Sequence, residues 1–260
     1  MKIFQRVVIL LILLGIAIFT YGLELQDQYV VPIVVYHQVA PCGDSGNLLN
    51  VTVDHFDEQL SFLMKHKYNV ISLDELVSST KSRKPLPHNS VVLTFDDGTE
   101  DNYQYAFAIL KKYGFPATIF IIPSKVGKKG YLTWDQIREM DKAGITFGSH
   151  TVTHVYLPDL PKGKQKQEIF VSKKIIEHRL GHRINHFCYP KGGFTDDVKS
   201  FVRQAGYTSA CTTNRGYNRL NRDVYELKRI RFANKYTTPF VFWAKLSGYY
   251  NLLRKSVSPY

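Results

Sequence analysis

An alternation constrains this chain more than any other feature. Short continuous apolar runs at residues 30–36, 68–72, 90–95, 117–122, 145–149, 184–189 and 207–211 are separated by stretches with helical spacing. Runs of this length rich in Val, Ile, Leu and Phe read as strands buried on both faces. Pro32 lies near the start of its run, where a strand tolerates it. The intervening stretches carry helix signals. Phe56, Leu60, Leu63 and Met64 share one face behind Thr52 or Asp54. Gly114, Gly144, Gly181 and Gly206 stand where the helices should stop;. Residues 226–232 read as one further strand. Parallel strands need crossover connections, so about seven strands with helices between them imply an α/β fold with a parallel sheet, open or closed into a barrel. A length of 260 residues with 44% hydrophobic residues suits one large core;. No internal repeat or low-complexity linker divides the chain.

The polar residues at the ends of these runs are not scattered. His37, Asp96-Asp97-Gly98, His150 and Tyr189-Pro190 all fall at carboxyl ends of apolar strands, the end where parallel α/β folds place their active sites. Asp97 with His150 and His154 gives one carboxylate and two imidazoles, a donor set for a divalent metal with open positions. Zinc is the expected ion, and cobalt, nickel or ferrous iron suit the same donors. Asp96, beside the ligand, is the expected general base. Gly98 permits the sharp turn that aims both carboxylates.

Leu93-Thr-Phe-Asp-Asp-Gly98 and His150-Thr-Val-Thr-His154 resemble the first two motifs of the polysaccharide deacetylases, carbohydrate esterase family 4. The resemblance covers about residues 30–235 and implies a distorted (β/α) barrel of about seven parallel strands. It implies metal-dependent hydrolysis of acetyl groups on a glycan, with Asp96 as base and Asp97, His150 and His154 holding the metal. Two motifs depart from the family pattern. Where Arg-x-Pro-Tyr is usual, this chain has Phe187-Cys-Tyr-Pro-Lys-Gly-Gly193, so the Arg that tunes the base is absent there. Tyr189 is the expected backbone N–H donor to the oxyanion. The late histidine is also missing, since Leu227-Lys-Arg-Ile230 offers none. His37 instead resembles the early acid of the poly-β-1,6-N-acetylglucosamine deacetylases, which protonates the leaving amine. In that branch an aromatic and a carboxylate line the sugar pocket. Trp134 and Asp135 are candidates for those roles, or simply the first turn of a helix. The expected partner is an N-acetylated glycan polymer; peptidoglycan, chitooligosaccharides, or a catalytically silent glycan-binding role are the alternatives.

Lys2 and Arg6 precede an uncharged apolar run over residues 7–23. Residues 1–26 therefore read as a signal anchor or signal peptide. Basic residues ahead of the run put the barrel, residues 27–235, on the extracytoplasmic face of the cell membrane, or in the secreted fraction if the segment is cleaved. A net charge of +12 favours anionic surroundings;, but no nucleic-acid motif is present and none is expected as partner. Cys42, Cys188 and Cys211 are too few for a disulfide framework; Cys188 and Cys211 read as small core residues. Residues 236–260 form a basic, aromatic tail, expected as a helix lying on a membrane surface or covering the barrel. Oligomeric state is not legible.

Overall fold

The computed structural model describes residues 2–27, 29–41, 49–213, 221–232 and 238–250. Helix α1 (Lys2–Asp27) precedes β1 (Ile33–Tyr36), β2 (Gln38–Ala40), β3 (Asn50–Thr52), α2 (Val53–Lys65), β4 (Asn69–Val70), α3 (Leu73–Ser82) and β5 (Ser90–Phe95). A π-helical turn (Asn102–Ala106) runs into α4 (Phe107–Tyr113), followed by β6 (Thr118–Ile121), α5 (Trp134–Lys142), β7 (Thr146–Ser149) and α6 (Lys162–Leu180). The remaining elements are β8 (His186–Cys188), α7 (Asp196–Gln204), β9 (Ser209–Thr212), β10 (Leu227–Lys228), β11 (Ile230–Arg231) and α8 (Pro239–Leu246). Hydroxyl side chains start several of the helices. Thr52, Ser72, Thr133 and Thr195 each accept an N–H from the first turn, and Thr133 forms a reciprocal capping box with Gln136;.

All strand pairs of the main sheet are parallel, in the order β10-β9-β8-β7-β6-β5-β1-β11, with β4 beside the start of β5. β10 and β11 are two halves of one strand, interrupted only at Arg229. The first half pairs with β9 (Leu227↔Cys211) and the second with β1 (Val34↔Ile230). That strand closes the sheet into the distorted barrel. Counting it once, the ring holds β1, β5, β6, β7, β8, β9 and this strand, seven in all. Every residue of β1, β5, β6, β8 and β9 is buried, including the polar Thr94, Thr118, His186, Ser209 and Thr212.

One side of the core is aromatic. Tyr36 stacks on Phe95 at 5.3 Å and meets Phe56 edge-on at 5.1 Å, and its hydroxyl donates to Gln59 Oε1 at 2.8 Å;. Phe242 and Leu246 of α8 are buried in this core, against Phe62 and Phe232. The Val30 N–H, just ahead of β1, donates to Gly248 O at 2.9 Å. α8 therefore packs on the barrel and leaves Phe240 and Trp243 exposed. Residues 236–237 and 251–260 of the basic tail lie outside the described residues, as does Cys42. Cys188 and Cys211 are buried free thiols, opposite one another on β8 and β9. Helix α1 exposes Phe4, Ile9, Leu11, Ile12, Leu13 and Leu14. Among the described residues, no helix is long and apolar enough to cross a membrane.

Candidate active site

The strand ends deliver their polar residues to one place. Asp97 Oδ1 lies 3.3 Å from His154 Nε2 and 3.7 Å from His150 Nε2. The three donor atoms fall within 4.8 Å of one another. Asp97 (φ 72°) and Gly98 (φ 65°) both adopt left-handed backbone, turning the chain sharply at the end of β5. A Cβ at Gly98 would stand 2.8 Å from Ile121 Cγ2, so glycine is required there for space as well as conformation;.

These residues fit a cation. The His150 Nδ1–H donates to Cys188 O at 2.8 Å, which fixes the tautomer and leaves Nε2 free to ligate;. Burial holds both His150 and His154 below the usual imidazole range, so both are neutral donors;. Asp97 Oδ1 is buried without a hydrogen-bond donor. Burial pushes the Asp97 carboxyl up; His150 opposes the rise and Asp96 adds to it. A carboxylate so placed gains from a positive charge beside it. Cys188, with Asp96 and His150, makes a second close group, but Asp96 is already committed to a guanidinium.

That guanidinium belongs to Arg229, the residue at the barrel seam. Its Nη1 and Nη2 donate to Asp96 Oδ1 and Oδ2, both at 2.7 Å. Nη1 also reaches Thr94 Oγ1 at 3.1 Å, Nε donates to Thr212 O at 3.1 Å, and Nη2 lies 3.1 Å from Cys188 Sγ. Arg229 and Asp96 are 0% and 1% exposed. Burial alone would raise the Asp96 carboxyl; the charge and hydrogen bonds of Arg229 reverse this and hold it well below the usual carboxylate range;. The motif-based expectation that Asp96 lacks a tuning Arg is therefore corrected. The guanidinium comes from a different strand, and Cys188 occupies the position of the missing one. Arg229 stands in a segment that also carries Lys228 and Arg231, so no local pattern singles it out as the partner of Asp96.

His37 lies on the other side of Asp96, with Nε2 3.9 Å from Oδ2. Burial lowers its pKa, Asp96 opposes, and Arg229 and Arg231 add to the lowering. Its Nδ1 is buried without a partner. Its carbonyl accepts from Asn102 Nδ2 at 2.9 Å, and Asp101 Oδ1 holds the Val39 N–H at 3.2 Å. The π-helical turn thus grips the strand end that carries His37.

The Tyr189 N–H does not serve as expected, and the contacts described for Trp134 and Asp135 are with Arg179 of α6 and Arg138 of α5. The Tyr189 N–H donates to Cys211 O at 3.0 Å, so it is spent on the β8–β9 ladder and is not an oxyanion donor. The Tyr189 ring is buried between Phe187 and Phe194, with its hydroxyl on Tyr225 O. Trp134 lies under the Arg179 guanidinium, in the last turn of α6, which leads to the amino end of β8. Asp135 is 91% exposed and pairs with Arg138 on its own helix. None of the contacts described for Trp134 or Asp135 includes His37 or the metal-site residues. Both are first-turn residues of α5, the carboxylate favoured there by the helix dipole.

Comparison with known proteins agrees with this geometry. Residues 83–210 match the family described as polysaccharide deacetylase. YxkH of Bacillus subtilis (strain 168), assigned by name to the polysaccharide deacetylases, is 34% identical over 203 residues, covering 78% of this chain and 71% of its own. The poly-beta-1,6-N-acetyl-D-glucosamine N-deacetylase of Staphylococcus aureus (strain MRSA252) is 30% identical over 60% of this chain, which spans only 59% of that relative. Among solved structures, the Streptococcus pyogenes deacetylase PplD, in complex with acetate, superposes with a TM-score of 0.77 at 29% identity, covering 83% of this chain and 97% of its own. IcaB from Ammonifex degensii shares the fold, with a TM-score of 0.73 at 24% identity over 85% of this chain and 97% of its own. The chain belongs to the polysaccharide deacetylase family, carbohydrate esterase family 4, as a hydrolase of carbon–nitrogen bonds.

Proposed function

We propose that this chain removes acetyl groups from the amino nitrogens of an N-acetylglucosamine polysaccharide, with Asp96 as base and His37 as acid. The observation that carries the reading is the placement of Asp96. It is locked by Arg229 on one side, faces His37 on the other, and adjoins Asp97, His150 and His154. Asp97, His150 and His154 would hold a divalent metal, zinc being the ion proposed; when bound, it supplies Lewis acidity toward water and an acetyl carbonyl. Asp96, kept ionised by Arg229, accepts the proton of the attacking water. His37, once protonated, donates to the amine nitrogen as the carbon–nitrogen bond breaks, since an amine leaves poorly as an anion. A module that only bound glycan would gain nothing from a buried carboxylate kept ionised beside a metal site.

Acetate release from β-1,6-linked N-acetylglucosamine oligomers, chitooligosaccharides and peptidoglycan fragments tests the reading. Release from the β-1,6 oligomers is expected, and is expected to disappear in Asp96→Asn. Release only from one of the other glycans would reassign the substrate, and no release from any at saturating zinc would overturn the activity. We also propose an extracytoplasmic location with α1 as membrane tether, motivated by the exposed apolar side chains of that helix and the basic residues ahead of them;. Full-length protein that washes off membranes in high salt, or a mature amino terminus beyond residue 20, would refute the tether.

A further inference from the structure

The loop carrying both histidines adopts a conformation that its own residues disfavour. Thr151 (φ 62°) and His154 (φ 66°) are both left-handed, and neither is glycine. Such residues persist where the surroundings over-determine them. Part of the support is internal: Thr151 Oγ1 accepts the His154 N–H at 3.0 Å. The rest comes largely from one face of α6. Gln165, Glu168 and Ser172 follow i, i+3, i+7 spacing and share that face;. Ser172 Oγ accepts from Ser149 Oγ at 2.7 Å, at the base of the loop. Gln165 Nε2 donates to Leu157 O at 3.0 Å and Leu160 O at 2.9 Å, at its exit. Between them Glu168 takes the turn itself. Its Oε2 accepts the N–H groups of Val152 at 2.8 Å and Thr153 at 2.9 Å, and its Oε1 accepts Thr153 Oγ1 at 2.9 Å.

We propose that Glu168 is a positioning residue for the metal site, its carboxylate fixing the 151–153 turn so that His154 is set against Asp97. The inference rests on the metal-binding reading of that site. It also predicts an asymmetry between the two histidines. His150 is anchored independently, by its N–H on Ile121 O at 2.9 Å and its Nδ1 on Cys188 O at 2.8 Å. His154 lies beyond the turn and depends on it. Without the carboxylate, the Val152 and Thr153 N–H groups lose these acceptors and the left-handed residues lose their restraint. The chain then relaxes at its far end, and His154 leaves while His150 and Asp97 stay.

The test uses the full-length protein, stripped of metal by chelation and titrated with Zn²⁺ against a chromophoric chelator, beside thermal melts of the same metal-free samples. Outer partners of metal ligands are typically worth about 10–100-fold in affinity. Glu168→Ala, which removes both acceptor oxygens, is therefore expected to weaken Zn²⁺ binding at least ~10-fold;. Glu177→Gln serves as the control for general disturbance of α6. Glu177 pairs with Lys173 and takes the Ile184 N–H at 3.0 Å, at the opposite end of the helix, and its substitution should leave Zn²⁺ affinity within about twofold of wild type, well below the outer-partner effect. If Glu168→Ala does not fold, Thr153→Val removes one of the three contacts and should still weaken binding measurably. A lowered melting temperature with Zn²⁺ affinity within about twofold of wild type in the Glu168 or Thr153 variant would overturn the positioning role. Failure of the wild type itself to bind Zn²⁺ would instead overturn the metal-site reading on which the inference rests.

Discussion

Replacing Arg229 by methionine would remove the guanidinium while keeping most of the side chain's length. Asp96 would be left with Cys188 Sγ at 3.6 and 3.7 Å and His37 at 3.9 Å, neither of which replaces two charge-assisted bonds at 2.7 Å. Breaking a fully buried ion pair by removing one partner costs about 3–5 kcal/mol, because the remaining charge stays buried and uncompensated. Against a typical domain stability of roughly 5–15 kcal/mol, Arg229→Met should fold but melt early. Adding Asp96→Asn removes the stranded charge. The double variant should therefore lose at least about 2 kcal/mol less than the sum of the single variants, a coupling within the range seen for residues in direct contact. Urea denaturation of metal-free protein, followed by circular dichroism, reads all four corners of the cycle. The pH dependence has a defined sign. The folded Asp96 pKa is depressed, so its stabilisation is present above the unfolded carboxyl value of ~3.9 and is lost only as pH falls through the lower folded value;. Arg229→Met should lose that contribution already at neutral pH. Single-variant losses that add within about 0.5 kcal/mol would refute the claim that Arg229 and Asp96 act as one unit.

Asp96→Asn should retain zinc yet lose about 10²–10⁴-fold in turnover, the usual worth of a general base; near wild-type acetate release at saturating zinc would remove Asp96 from that role. His37→Ala should slow amide cleavage far more than cleavage of an activated aryl acetate, whose leaving group needs little protonation. Because the His37 pKa is lowered, chiefly by burial, its acid form populates below the ordinary imidazole value. Amide turnover should therefore decline as pH rises through that lowered value, and equal losses on both substrates in the variant would point to a supporting role instead. Gly193→Ala places a Cβ in collision with the Tyr156 ring and should cost about 1–3 kcal/mol, as overpacking usually does; an unchanged urea midpoint would show that Tyr156 can move aside.

The sequence by itself determined what is local. Buried parallel strands are legible because both faces are covered, which leaves unbroken apolar runs such as 90–95 and 117–122;. Asp96, Asp97, His150 and His154 are legible because each group sits within a few residues of its strand end and the spacing carries the chemistry. Closure of the barrel was decided only in three dimensions. Arg229 lies 133 residues from Asp96, and the two meet because one interrupted strand pairs with β9 on one side and β1 on the other. Strand register settled Tyr189 in the same way: its N–H belongs to the ladder with Cys211, and no local pattern shows which neighbour takes it. Trp134 and Asp135 had an aromatic and a charge of the right types, yet the first turn of α5 points them at Arg179 and Arg138. Strand ends are local, so a sequence can state which groups they present. Partnership between strands depends on sheet order and register, which arise from packing the whole barrel.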